Sequence, residues 1–227
     1  MMSCKTVMTD LVCPLCGGTH NVSFWKDKYR EYLRCQECEL VFVPKAWHLS
    51  PTDEKACYDL HENVDGDPGY QRFLFRMFSP ITELVAPPAT GLDFGCGPGP
   101  VLAEMFAEAG YSMNVYDLYY ADNPDVLDRT YDFVTSTEVV EHLGNPRDVL
   151  ARLLDMVKPG GFLGLMTKLV KNQEAFQNWH YIRDKTHISF FSRETFQWFA
   201  NQTGCELEFV GNDVILLKKP ENMPEEN

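Results

Sequence analysis

LDFGCGPG, at residues 92–99, joins a short apolar strand to the start of a helix. Its three glycines permit a tight turn and let the backbone pass close to a ligand. The dinucleotide fingerprint GxGxxG would need a glycine at position 100, where Pro100 stands. The pattern is instead GxGxG with an acid, Asp93, just before it. The loop therefore predicts a ligand site at the end of a strand, of a kind other than the dinucleotide fingerprint.

Strands and helices alternate around this loop. Helical spacing of apolar residues is found at 70–86, 102–109, 146–157 and 193–203, and extended segments at 91–94, 113–117, 131–135, 162–166 and, as a hairpin, 206–218. Such alternation implies a mainly parallel sheet with helices on both faces. The sequence therefore predicts an α/β domain at residues 70–219.

Two cysteine pairs precede this domain, Cys13-Pro14-Leu15-Cys16 and Cys35-Gln36-Glu37-Cys38. The CxxC…CxxC spacing is typical of a structural zinc site with four thiolates and no open position. A unit this small cannot build a core unaided, so the metal would supply much of its folding energy. We predict a zinc ribbon at 1–45, a linker at 46–69 and an acidic tail at 220–227. Iron in a rubredoxin-like shell, or four ordinary thiols, are the alternatives.

The charge balance limits the classes of partner. The 227 residues include 20 Lys and Arg against 33 Asp and Glu, a formal net charge of -13. Phosphate backbones repel such a chain, which argues against a nucleic-acid partner. We find no apolar run long enough to span a membrane and no signal peptide, so the sequence predicts a cytoplasmic protein with reduced cysteines. It gives no indication of the oligomeric state.

Residues 93–99 resemble the first S-adenosylmethionine (SAM)-binding motif of the class I SAM-dependent methyltransferases. The resemblance continues through most of residues 70–218: Asp117 ends the second strand, 130–134 leads into 138–143, and Lys158-Pro159-Gly160-Gly161 resembles a late turn of that family. It implies a Rossmann-like, seven-stranded α/β fold. The segment between Asp117 and Tyr131 is short, so we expect the third strand to be reduced or absent.

The same resemblance implies the cofactor and its ligands. SAM would be held by five residues: Asp93, Gly95, Gly97, Gly99 and Asp117. Asp117 takes the place of the acid that binds the ribose hydroxyls, and two carboxylate oxygens suit two neighbouring hydroxyls. Asp122 and Asp125 are the candidates for a contact with the adenine amine.

Polar residues follow the fourth strand, where chemistry would sit. Glu138, Glu141 and His142 have the i, i+3, i+4 spacing of one helical face. His187, in a second polar cluster at 179–187, completes a set that resembles the metal-binding quartet of small-RNA 2′-O-methyltransferases. Ubiquinone-pathway O-methyltransferases share the Glu-x-x-Glu-His part. The resemblance implies a divalent cation, Mg²⁺ or Mn²⁺, on these four residues. Alternatively, Glu141 and His142 are structural or acid–base groups without a metal.

These observations predict a SAM-dependent methyltransferase that acts on an oxygen of a small molecule or glycan. Glu138, His142 and His187 are the predicted catalytic residues. A C- or N-methyltransferase without metal remains open, as does a non-catalytic module that combines a zinc ribbon with a SAM fold. An RNA methyltransferase would require a basic stripe, which we do not find in the sequence.

Overall fold

The computed structural model describes residues 11–59 and 67–221. Residues 1–10 of the predicted ribbon, 60–66 of the predicted linker and 222–227 of the predicted tail lie outside the described residues. In the described part, no helix is both long and apolar enough to cross a membrane.

One large sheet forms the centre of the main domain. Its strands, in chain order, are β4 (Thr90–Phe94), β5 (Ser112–Tyr116), β6 (Tyr131–Thr137), β7 (Val157–Met166), β9 (Glu206–Val210) and β10 (Val214–Lys218). The spatial order is β5-β4-β6-β7-β10-β9. The first four are parallel, whereas β10 runs antiparallel to both β7 and β9. Because β4 lies next to β5 and β6, their carboxyl ends meet at one edge, which is where such sheets bind ligands.

Helices cover both faces of this sheet, as the alternation predicts. They are α2 (Pro68–Leu84), α3 (Val101–Glu108), α4 (Pro146–Asp155) and α6 (Arg193–Thr203). A short helix, α5 (Gln173–Gln177), precedes α6 in the chain. The apolar sides of α2 and α3 pack with Phe133 and Met166, whereas those of α4 and α6 pack with Val134 and Leu163. The Rossmann-like fold is therefore confirmed.

The third strand is missing from the described chain, which leaves six strands in place of the seven of the full fold. Between Asp117 and Tyr131 the structure has one isolated bridge, from Asp117 to Ala121, and a 3₁₀ turn at Pro124–Asp128. Thirteen intervening residues are too few for a helix, a strand and two connections, as the sequence predicts.

A second, small sheet contains the cysteine-rich segment. It is formed by β1 (Asn21–Lys26), β2 (Glu31–Cys35), β3 (Val41–Phe42) and β8 (Ser189–Phe190), in that order. Strand β8 comes from the main domain and pairs antiparallel with β3. The ribbon thus shares a sheet with the domain that follows it in the chain.

The predicted linker contains regular structure, which corrects the sequence analysis. A 3₁₀ turn occupies Lys45–Trp47, and helix α1 spans Pro51–Tyr58. Ser50 caps α1 by accepting a hydrogen bond from the Asp53 backbone N–H at 3.2 Å, and Pro51 stands at the first helical position. Both are start signals for a helix, but α1 buries no residue and lacks an apolar face that periodicity would reveal.

Candidate active site

The glycine loop after β4 forms one side of a large cavity. Gly95 and Gly97 both have positive φ, 78° and 66°. The backbone N–H of Gly95 donates to the Tyr116 carbonyl at 2.7 Å, which ties the loop to the end of β5. A side chain at Gly95 would also collide with Val139. Only glycine suits this position, because both the backbone angle and the space exclude a Cβ.

Asp117 lies at the cavity directly after β5, and its carboxylate organises the surrounding backbone. Its Oδ1 accepts from the N–H groups of Tyr119 and Tyr120, at 2.9 and 3.1 Å. Its Oδ2 accepts from the N–H of Gly97 at 3.0 Å. A carboxylate offers about four acceptor positions, so Oδ2 retains one for a ligand hydroxyl.

Two of the predicted cofactor residues do not line the cavity. Asp93 is buried beneath the loop, where its Oδ1 accepts from the Thr135 hydroxyl at 2.8 Å. Burial raises the pKa of Asp93 to about 6, against the opposing effect of that hydrogen bond. Gly99 and the adenine candidates, Asp122 and Asp125, also lie outside the lining. Asp93 is placed to support the loop from below.

The cavity has a volume of about 880 Å³ and lies at the carboxyl ends of β4, β5 and β6. Gly95, Gly97 and Asp117 line one end, and His142, Tyr181 and His187 line the other. Glu54 and Tyr58 of α1, with Tyr70 and Phe73 of α2, also line it. Sequence reasoning missed these four. The capping signal at Ser50-Pro51 would have revealed α1, but nothing local indicates that it covers a cavity.

Three predicted residues converge beside the second end of this cavity, where His142 and His187 line it and Glu141 lies buried next to them. One ligand atom from each of Glu141, His142 and His187 lies within 4.8 Å of the other two. Glu141 is fully buried, and its Oε1 accepts a hydrogen bond from the Tyr181 hydroxyl. Its Oε2 is buried and has no hydrogen-bond partner among the described residues. We refer to Glu141, His142 and His187 as the polar trio.

The orientation of His187 follows from its hydrogen bond. Nδ1 lies 2.8 Å from the backbone carbonyl of Tyr181, and since a carbonyl can only accept, Nδ1 carries the proton. Burial holds the pKa of His187 below its usual range, so the ring is neutral. Nε2 therefore keeps its lone pair. The nearest acid, Asp184, is 3.8 Å from Nε2, too far for a hydrogen bond.

Glu138 differs from its predicted placement. It directly follows β6 and has a positive φ of 53°, and the 3₁₀ turn after it spans only Val140–His142. The three residues therefore do not share the helical face that their spacing predicts, and Glu138 lies outside the polar trio. Its Oε1 is buried without a partner in the described chain. Burial raises the pKa of Glu138 and, together with the charge of Glu138, that of Glu141.

The remaining residues of the 179–187 cluster have other roles. His180 is exposed and accepts from the Lys168 ammonium at 2.9 Å, through Nε2. Trp179 packs in an aromatic cluster with Phe176 and Phe190. Asp184 accepts from the backbone and the hydroxyl of Thr186, at 2.9 and 2.6 Å. None of the three contributes to the polar trio.

The four ribbon cysteines come together away from this cavity. Their sulfurs lie within 4.8 Å of one another, with Cys13 Sγ 3.5 Å from Cys38 Sγ and Cys16 Sγ 3.3 Å from Cys35 Sγ. Four thiolates about 2.3 Å from a tetrahedral Zn²⁺ would be roughly 3.8 Å apart. The cluster thus fits a structural zinc ion without rearrangement of the backbone.

Comparison with known proteins places the main domain in a family. A model described as a methyltransferase domain matches residues 70–209. Ubiquinone biosynthesis O-methyltransferase of Shewanella pealeana is 37% identical over 87 residues, 38% of this chain and 36% of that protein. The mitochondrial enzyme of the same name from Schizosaccharomyces pombe is 33% identical over 101 residues, 34% of this chain and 36% of that protein. The chain thus spans about a third of the length of these curated relatives.

Solved structures share the fold at low sequence identity. The 1,6-didemethyltoxoflavin-N1-methyltransferase of Burkholderia thailandensis, solved with 1,6-didemethyltoxoflavin and S-adenosylhomocysteine, superposes with a TM-score of 0.53 at 14% identity. The match covers 86% of this chain and 98% of that one. An O-methyltransferase family protein from the same organism superposes with a TM-score of 0.52 at 15% identity. That match covers 74% of this chain and 59% of the other. At these identities the likeness concerns the fold alone.

Proposed function

The chain belongs to the methyltransferase-domain family, and from this premise we propose that it transfers a methyl group from SAM to a hydroxyl oxygen of a small molecule or glycan. The observation that carries the proposal is that two members of the polar trio, His142 and His187, line the same cavity as the glycine loop and Asp117, with Glu141 buried beside them. One end of the cavity would hold the methyl donor and the other the acceptor.

The residues at the donor end fit SAM. The loop at Gly95 and Gly97 presents backbone without side chains, so a ligand can approach it closely. Asp117 Oδ2 has an acceptor position left for a ribose hydroxyl after its bond to Gly97. Asp93, beneath the loop, and Gly99, beyond the lining, would act by shaping the loop. When bound, SAM supplies a methyl group activated by a sulfonium.

The residues at the acceptor end can hold and deprotonate a hydroxyl. Nε2 of neutral His187 has a lone pair available to accept a proton, while its Nδ1 bond to Tyr181 fixes the ring. Tyr181 is fixed in turn by Glu141 and by Thr167, whose hydroxyl is 3.1 Å from its own. Glu138 and His142 line the same cavity and would orient the acceptor. Positioning of this kind supports in-line displacement.

As an alternative, the polar trio suits a divalent cation, Mg²⁺ or Mn²⁺; the Nε2 lone pair of His187 would then bind the cation and would not accept the proton. One carboxylate and two imidazoles form a mixed ligand set that leaves positions open for substrate oxygens. His187 Nδ1 donates to a backbone carbonyl, the usual orientation of a metal-binding histidine. A bound cation would lower the pKa of a coordinated hydroxyl. We propose a site of three residues, with Glu138 outside it.

Oxygen is the acceptor atom that the names of the curated relatives support, because they are ubiquinone biosynthesis O-methyltransferases. The test is an assay with methyl-labelled SAM and a panel of catechols, phenols, glycans, amines and active-methylene compounds. We expect a methyl ether as the product, identified by mass spectrometry and NMR.

Matched variants make the assay specific. His187→Ala should abolish turnover, whereas His20→Ala changes an exposed histidine of the ribbon, outside the cavity lining, and should leave turnover intact. An N- or C-methylated product would contradict O-methylation. Tight SAM binding without turnover of any acceptor would favour a non-catalytic module.

A further inference from the structure

A buried arginine from the ribbon contacts the segment that carries Tyr181 and His187. Arg30, in the turn between β1 and β2, is 5% exposed. Its Nη2 donates to the carbonyls of Ile182 and Asp184, at 2.9 and 2.7 Å, and its Nη1 to that of Lys185 at 3.0 Å. One guanidinium thus binds three carbonyls of a four-residue stretch. We refer to residues 181–188 as the acceptor wall.

The ribbon hairpin fixes the guanidinium itself. Arg30 Nε donates to the Tyr32 hydroxyl at 2.8 Å, and that hydroxyl donates to Asp27 Oδ2 at 3.0 Å. Asp27 Oδ1 accepts from the backbone N–H of Arg30 at 2.8 Å, which closes the hairpin turn. Four of the five donors of Arg30 are therefore used, three of them on the acceptor wall.

The ribbon also holds the far end of the acceptor wall. The backbone N–H of Val43 donates to the carbonyl of Ile188 at 2.8 Å, and β3 then pairs with β8. The N–H of Ile188 donates to the carbonyl of Glu141 at 2.8 Å. His187 therefore lies between two points that the ribbon holds, at 182–185 and at 188–190.

We propose that Arg30 is a positioning residue for methyl transfer, and that the ribbon serves to hold the acceptor wall in its reactive geometry. The inference rests on the proposed function, because it places the acceptor at Tyr181 and His187. The donor end is held differently: Gly97 bonds to Asp117, and Gly95 to Tyr116. Loss of Arg30 should therefore impair acceptor turnover and leave SAM binding unchanged.

Lysine cannot replace this arginine. A guanidinium presents its donors in a rigid planar fork that reaches several acceptors at once, whereas an ammonium presents three donors from one point. A second cavity, of about 710 Å³, is lined by Arg30 and by Ile182 and Lys185 of the acceptor wall. A small guanidinium ion could enter there if the side chain were removed.

The experiment compares Arg30→Ala and Arg30→Lys with Arg34→Ala, a control on the same hairpin. Arg34 is 42% exposed and pairs with Glu39 within the ribbon. We expect SAM affinity within about twofold of wild type in all three, and kcat for the acceptor lowered tenfold to about a hundredfold in both Arg30 variants. Millimolar methylguanidinium should restore part of the loss in Arg30→Ala, but not in Arg30→Lys, whose side chain fills the space.

A second measurement is independent of turnover. Amide hydrogen exchange at residues 181–188 should be faster in the Arg30 variants, with exchange in β6 unchanged. Normal exchange there, or normal kcat, would overturn the proposal. Global unfolding of both Arg30 variants would overturn it as well, because Arg30 would then support the whole fold. If wild type methylates no acceptor, the proposed function fails. The hydrogen-exchange data then still decide whether Arg30 holds the acceptor wall.

Discussion

Asp117 and Gly97 are joined by a hydrogen bond, in which the backbone N–H of Gly97 donates to Oδ2 across 3.0 Å. The acid that follows β5 thereby fixes the loop that follows β4. The two motifs of the donor end are thus one structural unit, and a change in either should affect the other.

Asp117→Ala should weaken SAM binding by about tenfold to a hundredfold, since hydrogen bonds to a charged group contribute about 1.5–3 kcal/mol. Isothermal titration calorimetry with SAM measures this directly. Asp125→Ala, at an exposed position in the following 3₁₀ turn, is the matched control and should bind like wild type. Equal affinities of the two variants would show that Asp117 does not contact the cofactor.

Gly95→Ala should destabilise the fold for two separable reasons. The positive φ of 78° costs about 1–2 kcal/mol with a Cβ, and the collision with Val139 adds about 1–3 kcal/mol. Gly204→Ala isolates the first cost, because its φ is 70° and nothing lies within 4 Å of the added Cβ. Urea unfolding should show that Gly95→Ala is less stable than Gly204→Ala. Adding Val139→Ala to Gly95→Ala should restore part of the lost stability. Equal costs at the two glycines would contradict the close packing.

Much of this fold could be predicted from sequence because its signals are local. Helix α6 begins after Ser192 and ends before Gly204, and the capping residues at both ends mark its bounds. The loss of the third strand follows from the short segment after Asp117. The glycines and the cysteine pairs likewise indicate their sites by spacing alone.

The sequence-based predictions were wrong where tertiary packing determines the local structure. Periodicity cannot detect α1, which buries no side chain, although it covers the cavity with Glu54 and Tyr58. The i, i+3, i+4 spacing predicts that Glu138 shares a helical face with Glu141 and His142. The positive φ of Glu138 interrupts the helical turn, so the three side chains do not share a face. The contacts of Arg30 span about 150 residues of sequence, and no local pattern reports them.

The buried Asp93 should make stability depend on pH in a particular direction. Burial raises its pKa to about 6, so the folded chain keeps this proton at pH values where the unfolded chain has lost it. The contribution of Asp93 to stability therefore falls as pH rises from about 4 to about 6 and is constant above. Across this window, the free energy of unfolding of Asp93→Asn should rise relative to that of wild type, by about 1.4 kcal/mol for each pH unit of the pKa shift.

Asp132 provides a control of opposite sign. Burial works to raise its pKa, but the donors of Lys158 and Thr90 outweigh it and hold the pKa below its usual range. Asp132→Asn should therefore lose stability relative to wild type as pH rises through the usual carboxyl range. Urea unfolding at a series of pH values checks both variants. If the free energies of unfolding of Asp93→Asn and wild type changed with pH in parallel, the raised pKa of Asp93 would be refuted.

The ribbon should hold close to one zinc ion per chain, measured by elemental analysis of the purified protein. Cys35→Ser should lower the zinc content and destabilise the ribbon, because a structural ion supplies folding energy. Cys57→Ser changes a cysteine outside the cluster and should retain the metal. Visible absorption would instead indicate iron. A stable wild type without metal would leave the cysteines as ordinary thiols.

A cation site of three residues differs from one of four in whether it needs Glu138. EDTA should abolish methyl transfer, and Mn²⁺ or Mg²⁺ should restore it. Titration of Mn²⁺, followed by electron paramagnetic resonance, should show binding lost in Glu141→Gln and His187→Ala, since both residues belong to the polar trio. Glu138→Gln should retain binding, because Glu138 lies outside that group, and His20→Ala, at an exposed position of the ribbon, should behave as wild type. Loss of Mn²⁺ from Glu138→Gln would favour the quartet. Full activity in EDTA would leave His187 as a proton acceptor that works without a metal.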